Sequence, residues 1–196
     1  MAFESWELED FWDDSEDDTK PEPSTPELIA LAERRLGYKL PRDYLTLLVS
    51  RNGGTPRKTC FPTSVPTSWA SDHIAITDFG RLGGRSGVDS ENRNMIEEWG
   101  YPDIGVIICS CPSAGHDAVM LDYSVCGPQG EPRVVHVEVE RSAAPEITPP
   151  TSRRSCVAWS TKNTTTPPPS SRLTPPCFLP SPPARPRGAS RSKRCR

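Results

Sequence analysis

Between Gly100 and Glu140 the chain reads GYPDIGVIICSCPSAGHDAVMLDYSVCGPQGEPRVVHVEVE, three apolar runs separated by two clusters of turn-forming residues. Val106–Cys109 is continuous and apolar, and Pro112-Ser113-Ala114-Gly115 breaks it. Ala118–Tyr123 follows, broken in turn by Cys126-Gly127-Pro128-Gln129-Gly130, and Arg133–Glu140 then alternates strictly. Short runs rich in Val and Ile with Gly/Pro punctuation predict strands rather than helices. Both connections are too short for a parallel crossover, so neighbouring strands are expected to pair antiparallel. This meander has a buried face, and the remaining sequence has to supply its cover.

Helical signals flank it. Ser24 or Thr25 is placed to cap a helix that has Pro26 in its first turn and Glu27 near its positive end. Leu28, Ile29, Leu31, Ala32 and Leu36 share one face of that helix, and Gly37 offers the left-handed residue that ends it. Pro41 opens a second helix through Tyr44, Leu45, Leu47, Leu48 and Val49, stopped by Asn52-Gly53-Gly54. Thr55–Trp69 reads as an irregular connection. Asp72–Phe79 alternates well enough for a single strand. Gly80–Ser90 reads as a flexible turn: its GRLGGRSG has the glycines of a phosphate loop but neither the spacing nor the Lys-Ser/Thr ending. Ser90–Trp99 is a third helix, with Met95, Ile96 and Trp99 on one side and Gly100 at its end.

Charge is distributed unevenly. The first twenty residues hold nine acidic side chains (Glu4, Glu7, Glu9, Asp10, Asp13, Asp14, Glu16, Asp17, Asp18) against Lys20, whereas Thr151–Arg196 has ten Arg or Lys and no carboxylate. Phe3, Trp6, Leu8, Phe11 and Trp12 lie among the acids, so residues 1–25 are read as an acidic arm anchored by its aromatics. Twenty-three prolines and a mean hydropathy of -0.57 predict that part of the chain is not packed. No run approaches the length of a membrane span and no apolar leader opens the sequence, which predicts a cytoplasmic protein. The basic tail lacks interleaved aromatics beyond Trp159 and Phe178, which argues against nucleic-acid binding.

The residues with catalytic chemistry are Cys111, His116, Asp117, Asp122 and His136. Cys111 and His116 flank one turn, so a Cys/His hydrolase pair is conceivable, but no G-x-S-x-G, H-E-x-x-H or paired-carboxylate pattern supports it. Asp117 is expected to cap amides of the Gly115 turn. Asp122 faces away from Leu121 and Tyr123, exposed or paired with a cross-strand cation, and His136 lies opposite Val135 and Val137. Cys109-x-Cys111 lacks the second pair of a zinc site, so no metal and no cofactor is expected. The seven cysteines read as reduced structural thiols.

Leu36-Gly37-x-x-Leu40-Pro41, then Tyr44 in an apolar helix, then Asn52-Gly53-Gly54, resemble the opening of the SUKH superfamily, the Smi/Knr-like domains. Trp99-Gly100-Tyr101-Pro102, Ser113-Ala114-Gly115-His116-Asp117 and Leu121-Asp122-Tyr123 are similar to its bacterial branch. The resemblance spans about Pro26 to Glu140. It implies an α+β domain, residues 26–147, with two N-terminal helices and a further helix packed on a mostly antiparallel sheet. It also implies a non-enzymatic protein-binding role, most directly that of an immunity protein neutralising a bacterial polymorphic or contact-dependent toxin. A regulator of cell-wall synthesis is the alternative. A binding face needs exposed charge and aromatic anchors, for which the candidates are Asp13, Asp14, Asp17, Asp18, Glu97, Glu98, Trp99, Tyr101, His116, Asp117 and Asp122.

The family would close its sheet with an amphipathic helix, yet residues 148–196 are a Pro/Ser/Thr/Arg tract whose composition predicts disorder. The segment TSRRSCVAWSTKNTTT can be encoded so that moving the frame back one base gives DFEEELRGLVDEEHYD, which is acidic and has helical apolar spacing. The expectation is a frameshift near Thr148–Pro150 that costs the domain its closing helix. The gene sequence across those codons tests it.

Overall fold

The computed structural model describes residues 8, 10–13, 21–63, 66–139 and the backbone of 146–148. The chain divides into two units, Met1–Thr164 and Thr165–Arg196, and every described residue belongs to the first. Phe3, Trp6, Asp14, Asp17, Asp18 and the basic tail lie outside the described residues.

Among the described residues, α-helices Pro26–Leu36, Arg42–Ser50 and Val88–Trp99 and a mostly antiparallel set of strands make an α+β domain. Helix α1 is Pro26–Leu36. The Thr25 hydroxyl accepts from the Leu28 amide at 3.2 Å, and Gly37 closes the helix at φ 79 with its N–H bonded to Glu33. Helix α2, Arg42–Ser50, follows Pro41 and buries Tyr44, Leu47 and Leu48. Strands β1, Cys60–Pro62, and β2, His73–Ala75, form a small antiparallel pair. Strand β3, Asp78–Phe79, leads to helix α3, Val88–Trp99. The meander then supplies β4, Gly105–Ser110, β5, Asp117–Asp122, and β6, Arg133–Glu138, with β7, Glu146–Thr148, beyond. The main sheet has the order β3-β4-β5-β6-β7, antiparallel throughout.

Two expectations change. Asp72–Phe79 is not one strand: Ile76 donates to Thr59 and Thr77 to Ser110, so the chain leaves the small sheet and joins the large one between β2 and β3. Alternation is satisfied on both sides of that switch, because Ile74, Ile76 and Phe79 are all buried. The connection expected to be irregular contains β1, whose Phe61 is buried.

The sheet separates two cores. On one face Val106, Ile108, Val119 and Leu121 pack with Tyr44, Leu47 and Leu48 of α2, Phe79, and Phe11 and Trp12 of the N-terminal arm. Ala118, Met120, Val135 and Val137 occupy the other face with Tyr101, and Met95, Ile96 and Ile107 pack against them. A bulge between Ile107 and Cys109 turns both Ile108 and Cys109 to the first face. The arm is held there by more than its apolar area. Trp12 donates its indole N–H to Ser50 at 3.1 Å, and the Arg51 guanidinium lies 5.7 Å from its ring centroid.

A side-chain pairing also ties helix to sheet. β3 pairs only with the last residues of β4, which leaves the first half of that strand's edge open. The Asn92 side chain fills it, donating to Gly105 O at 2.9 Å and accepting from the Ile107 amide at 2.9 Å. A buried carboxamide on α3 thus stands in for a neighbouring strand.

Candidate functional site

The residues of interest gather where β4 ends, β5 begins and β6 ends. Register explains why. Val119 pairs with His136 and Asp117 with Glu138, so Asp117 and His136 are diagonal neighbours on one face. Cys111 enters the same space just after β4. His136 Nε2 and Asp117 Oδ2 are 2.7 Å apart, with side chains 2% and 6% exposed. Cys111, Asp117 and His136 place one donor atom each within 4.8 Å of one another. The Cys111–His116 pairing conceivable across the turn is not the one that forms. His116 is exposed instead, and it is His136, distant in sequence, that joins the cluster.

Asp117 does not cap the turn. That task falls to Ser113, whose hydroxyl accepts from the His116 and Asp117 amides at 3.1 and 2.9 Å. Tyr101 donates its hydroxyl to Gly115 O at 3.1 Å and is buried. Burial, then the charge of Asp117, push its phenol up.

The cluster is not poised for nucleophilic chemistry. Burial, followed by the adjacent Asp117 carboxylate, pushes the Cys111 thiol well up, holding it protonated. An activated cysteine needs the opposite, a neighbouring cation or a helix N-terminus, and partial exposure. Cys111 is 6% exposed and its nearest charged neighbour is an anion.

Asp122 sits at the other end of β5, 2% exposed, opposite Arg133 in the ladder and hydrogen-bonded to its guanidinium. The cross-strand cation anticipated for it is therefore Arg133. Burial raises the Asp122 carboxyl, but hydrogen bonds from Ser124 and the Arg133 guanidinium together outweigh it and hold the group below the usual range.

The exposed candidates lie near the β4–β5 turn. Trp99, at the end of α3, is 49% exposed, yet its ring lies so close to Gly115 that a Cβ there would come within 2.6 Å. Gly115, at φ 93, thus permits both the turn and the indole above it. Glu97 is tied to Arg93 at 2.6 Å, Glu98 is exposed, and His116 is exposed beside the turn. Trp69, 57% exposed, follows Ser68, whose amide bonds Glu138 at 2.9 Å. Of the proposed contact residues, Tyr101, Asp117 and Asp122 are buried and belong to the framework rather than to an open face. Asp13 is half-buried, its backbone bonded to Thr55 and Arg51.

A shallow cleft of about 350 Å³ lies elsewhere, between Gly37, Tyr38, Ile104 and Tyr123, with Asp103 as its carboxylate. No helix among the described residues is long and apolar enough to cross a membrane.

The SUKH_6 family model, described as SMI1-KNR4 cell-wall, matches residues 26–151, well over half of the chain. No curated protein and no solved structure matches it.

Proposed function

Because the chain belongs to the SUKH family, in its SMI1-KNR4 cell-wall group, we propose that it is a non-enzymatic, cytoplasmic protein-binding module and that it acts as an immunity protein against a toxin domain. Members of the family are generally non-enzymatic, and the protonated, anion-flanked Cys111 supports the same reading for this chain. The observation that carries the binding role is Trp99. A large aromatic is half exposed at the end of a helix while its ring is fixed against Gly115, so little conformational freedom is left to lose when a partner covers it. Glu97 and Glu98 precede it on α3 and His116 follows Gly115, all three exposed, offering the polar rim that accompanies such anchors. The acidic residues Asp14, Asp17 and Asp18 would add long-range attraction for a basic toxin surface.

The test starts from the neighbouring gene. A toxin domain encoded beside this one is purified, titrated with the full chain by calorimetry, and co-expressed to score survival. Tight one-to-one binding with protection is expected, and Trp99→Ala is expected to weaken binding by about 2 kcal/mol, roughly thirtyfold, without unfolding the domain. No binding and no protection would remove the immunity reading. The family's cell-wall description favours one other reading, an interaction protein of cell-wall synthesis. That role predicts association with several endogenous proteins rather than with one toxin.

A further inference from the structure

The buried cluster under this rim has chemistry that partner binding does not use. Cys111, Asp117 and His136 bring together a thiol, a carboxylate and an imidazole, each nine-tenths or more buried. Two polar atoms there have no hydrogen-bond partner, Asp117 Oδ1 and His136 Nδ1. Buried polar groups are rarely left unsatisfied, and each such atom costs about 1–3 kcal/mol. A hydrogen-bonded core pair alone would therefore be an expensive arrangement, because half of each partner is wasted.

We propose that Cys111 Sγ, the Asp117 carboxylate and His136 Nε2 form a binding site for one zinc-class divalent cation, with Glu138 orienting the imidazole. The donor set selects the metal: thiolate with imidazole and carboxylate suits zinc and excludes the all-oxygen preference of calcium or magnesium. The spacing fits after small movements. Tetrahedral bonds of about 2.0–2.3 Å place ligand atoms about 3.5 Å apart, between the 2.7 Å of the Asp117–His136 pair and the 4.8 Å limit of the cluster. Three protein ligands leave a fourth position for solvent.

The surrounding groups complete the argument. His136 Nδ1 faces Glu138 Oε1 at 4.0 Å. A metal-bound imidazole ordinarily donates its other N–H to a carboxylate, and Glu138 is positioned to receive it once the ring is drawn toward the ion. The Glu138 carboxylate is itself held by the Ser68 amide. Metal coordination would replace the His136 Nε2–Asp117 Oδ2 hydrogen bond, release the Cys111 thiol proton to solvent, and give His136 Nδ1, otherwise unused, an acceptor in Glu138.

The full chain with Cys60, Cys126, Cys156, Cys177 and Cys195 replaced by serine keeps Cys109 and Cys111 as its remaining thiols. Titration with Co²⁺ is expected to give a thiolate-to-cobalt charge-transfer band that saturates at one equivalent and is displaced by Zn²⁺. Cys109→Ser should keep the band and Cys111→Ser should lose it, with circular dichroism checking the fold of each. Should C111S unfold, survival of the band in C109S assigns the thiolate to Cys111 by elimination. Glu138→Gln should leave the band in place and lower cobalt affinity about tenfold. Zn²⁺ should also raise the melting temperature of the parent chain, as any ligand selective for the folded state does. Absence of the band, its persistence in a folded C111S chain, or a melting temperature indifferent to Zn²⁺ would each overturn the site.

Discussion

Asp122 shows how a single charge is made tolerable in this sheet. Its carboxylate is buried, and what keeps it ionised is that the Ser124 bonds and the Arg133 guanidinium together outweigh the opposing effect of burial. A carboxyl held below its unfolded value stabilises the fold above that value, and the benefit disappears as pH falls through the folded pKa. Arg133 is 58% exposed, so solvent screens the pair and its worth is modest. Arg133→Gln is therefore expected to cost about 1 kcal/mol near neutral pH. The gap between variant and parent should narrow below about pH 4, where the unfolded carboxyl is protonated. Urea unfolding of both chains across that range measures it, and a gap that stays constant in acid would show that packing of the arginine stem, not charge, is responsible. At the same scale the sequence was informative about residue types and weak about pairings. Cys111, Asp117 and His136 each stood out, but only the β5–β6 register brings His136 beside Asp117, and the loop of Ser124–Pro132 that sets this register has no sequence signal specific enough to fix it.

Among the elements, helices and meander were legible because their signals are local. Thr25 and Pro26 mark the start of α1 and Gly37 its end, and Gly100 ends α3 at φ 82 as its position implied. β1 and the split of β2 from β3 were not legible, since three-residue strands have no period to read and choose partners through tertiary contacts. The contact of α3 with β4 belongs to the same class. Asn92 looks like an ordinary polar residue on a helix, yet it supplies both hydrogen bonds of a missing strand. Asn92→Ala would leave Gly105 O and Ile107 N–H unpaired at a partly buried edge. The expected loss is about 2–3 kcal/mol in chemical denaturation, with faster amide exchange at Ile107 than at Val119. A change within about 0.5 kcal/mol would mean that water replaces the side chain at no cost and that the other contacts of α3, Met95 and Ile96 among them, hold it to the sheet.

For the whole molecule the decisive feature is where family likeness stops. The match ends at residue 151, and the tract beyond it changes composition from mixed charge to Pro, Ser, Thr and Arg. Within the domain, β7 pairs Ile147 with Val137 and Thr148 with His136, so the sheet is extended right up to the point at which the alternative reading frame would begin its amphipathic helix. A strand laid on β6 protects an edge, and Met120, Val135 and Val137 on the face beside it are already buried, with Tyr101, Met95 and Ile96 against them. A closing helix would add its own apolar stripe to that core; a tract rich in proline has no stripe to offer. The frame is therefore expected to govern solubility. A gene altered by one base near the Pro150 codon, so that DFEEELRGLVDEEHYD follows β7, should give a chain that binds less of a hydrophobic dye, stays monomeric to higher concentration and melts at a higher temperature. The same gene, read before alteration, must carry codons compatible with the shifted peptide. Codons that exclude it, or an altered chain no more soluble than the original, would make the basic tail a component of this protein in its own right, and its ten cations would then have to be matched to an anionic partner.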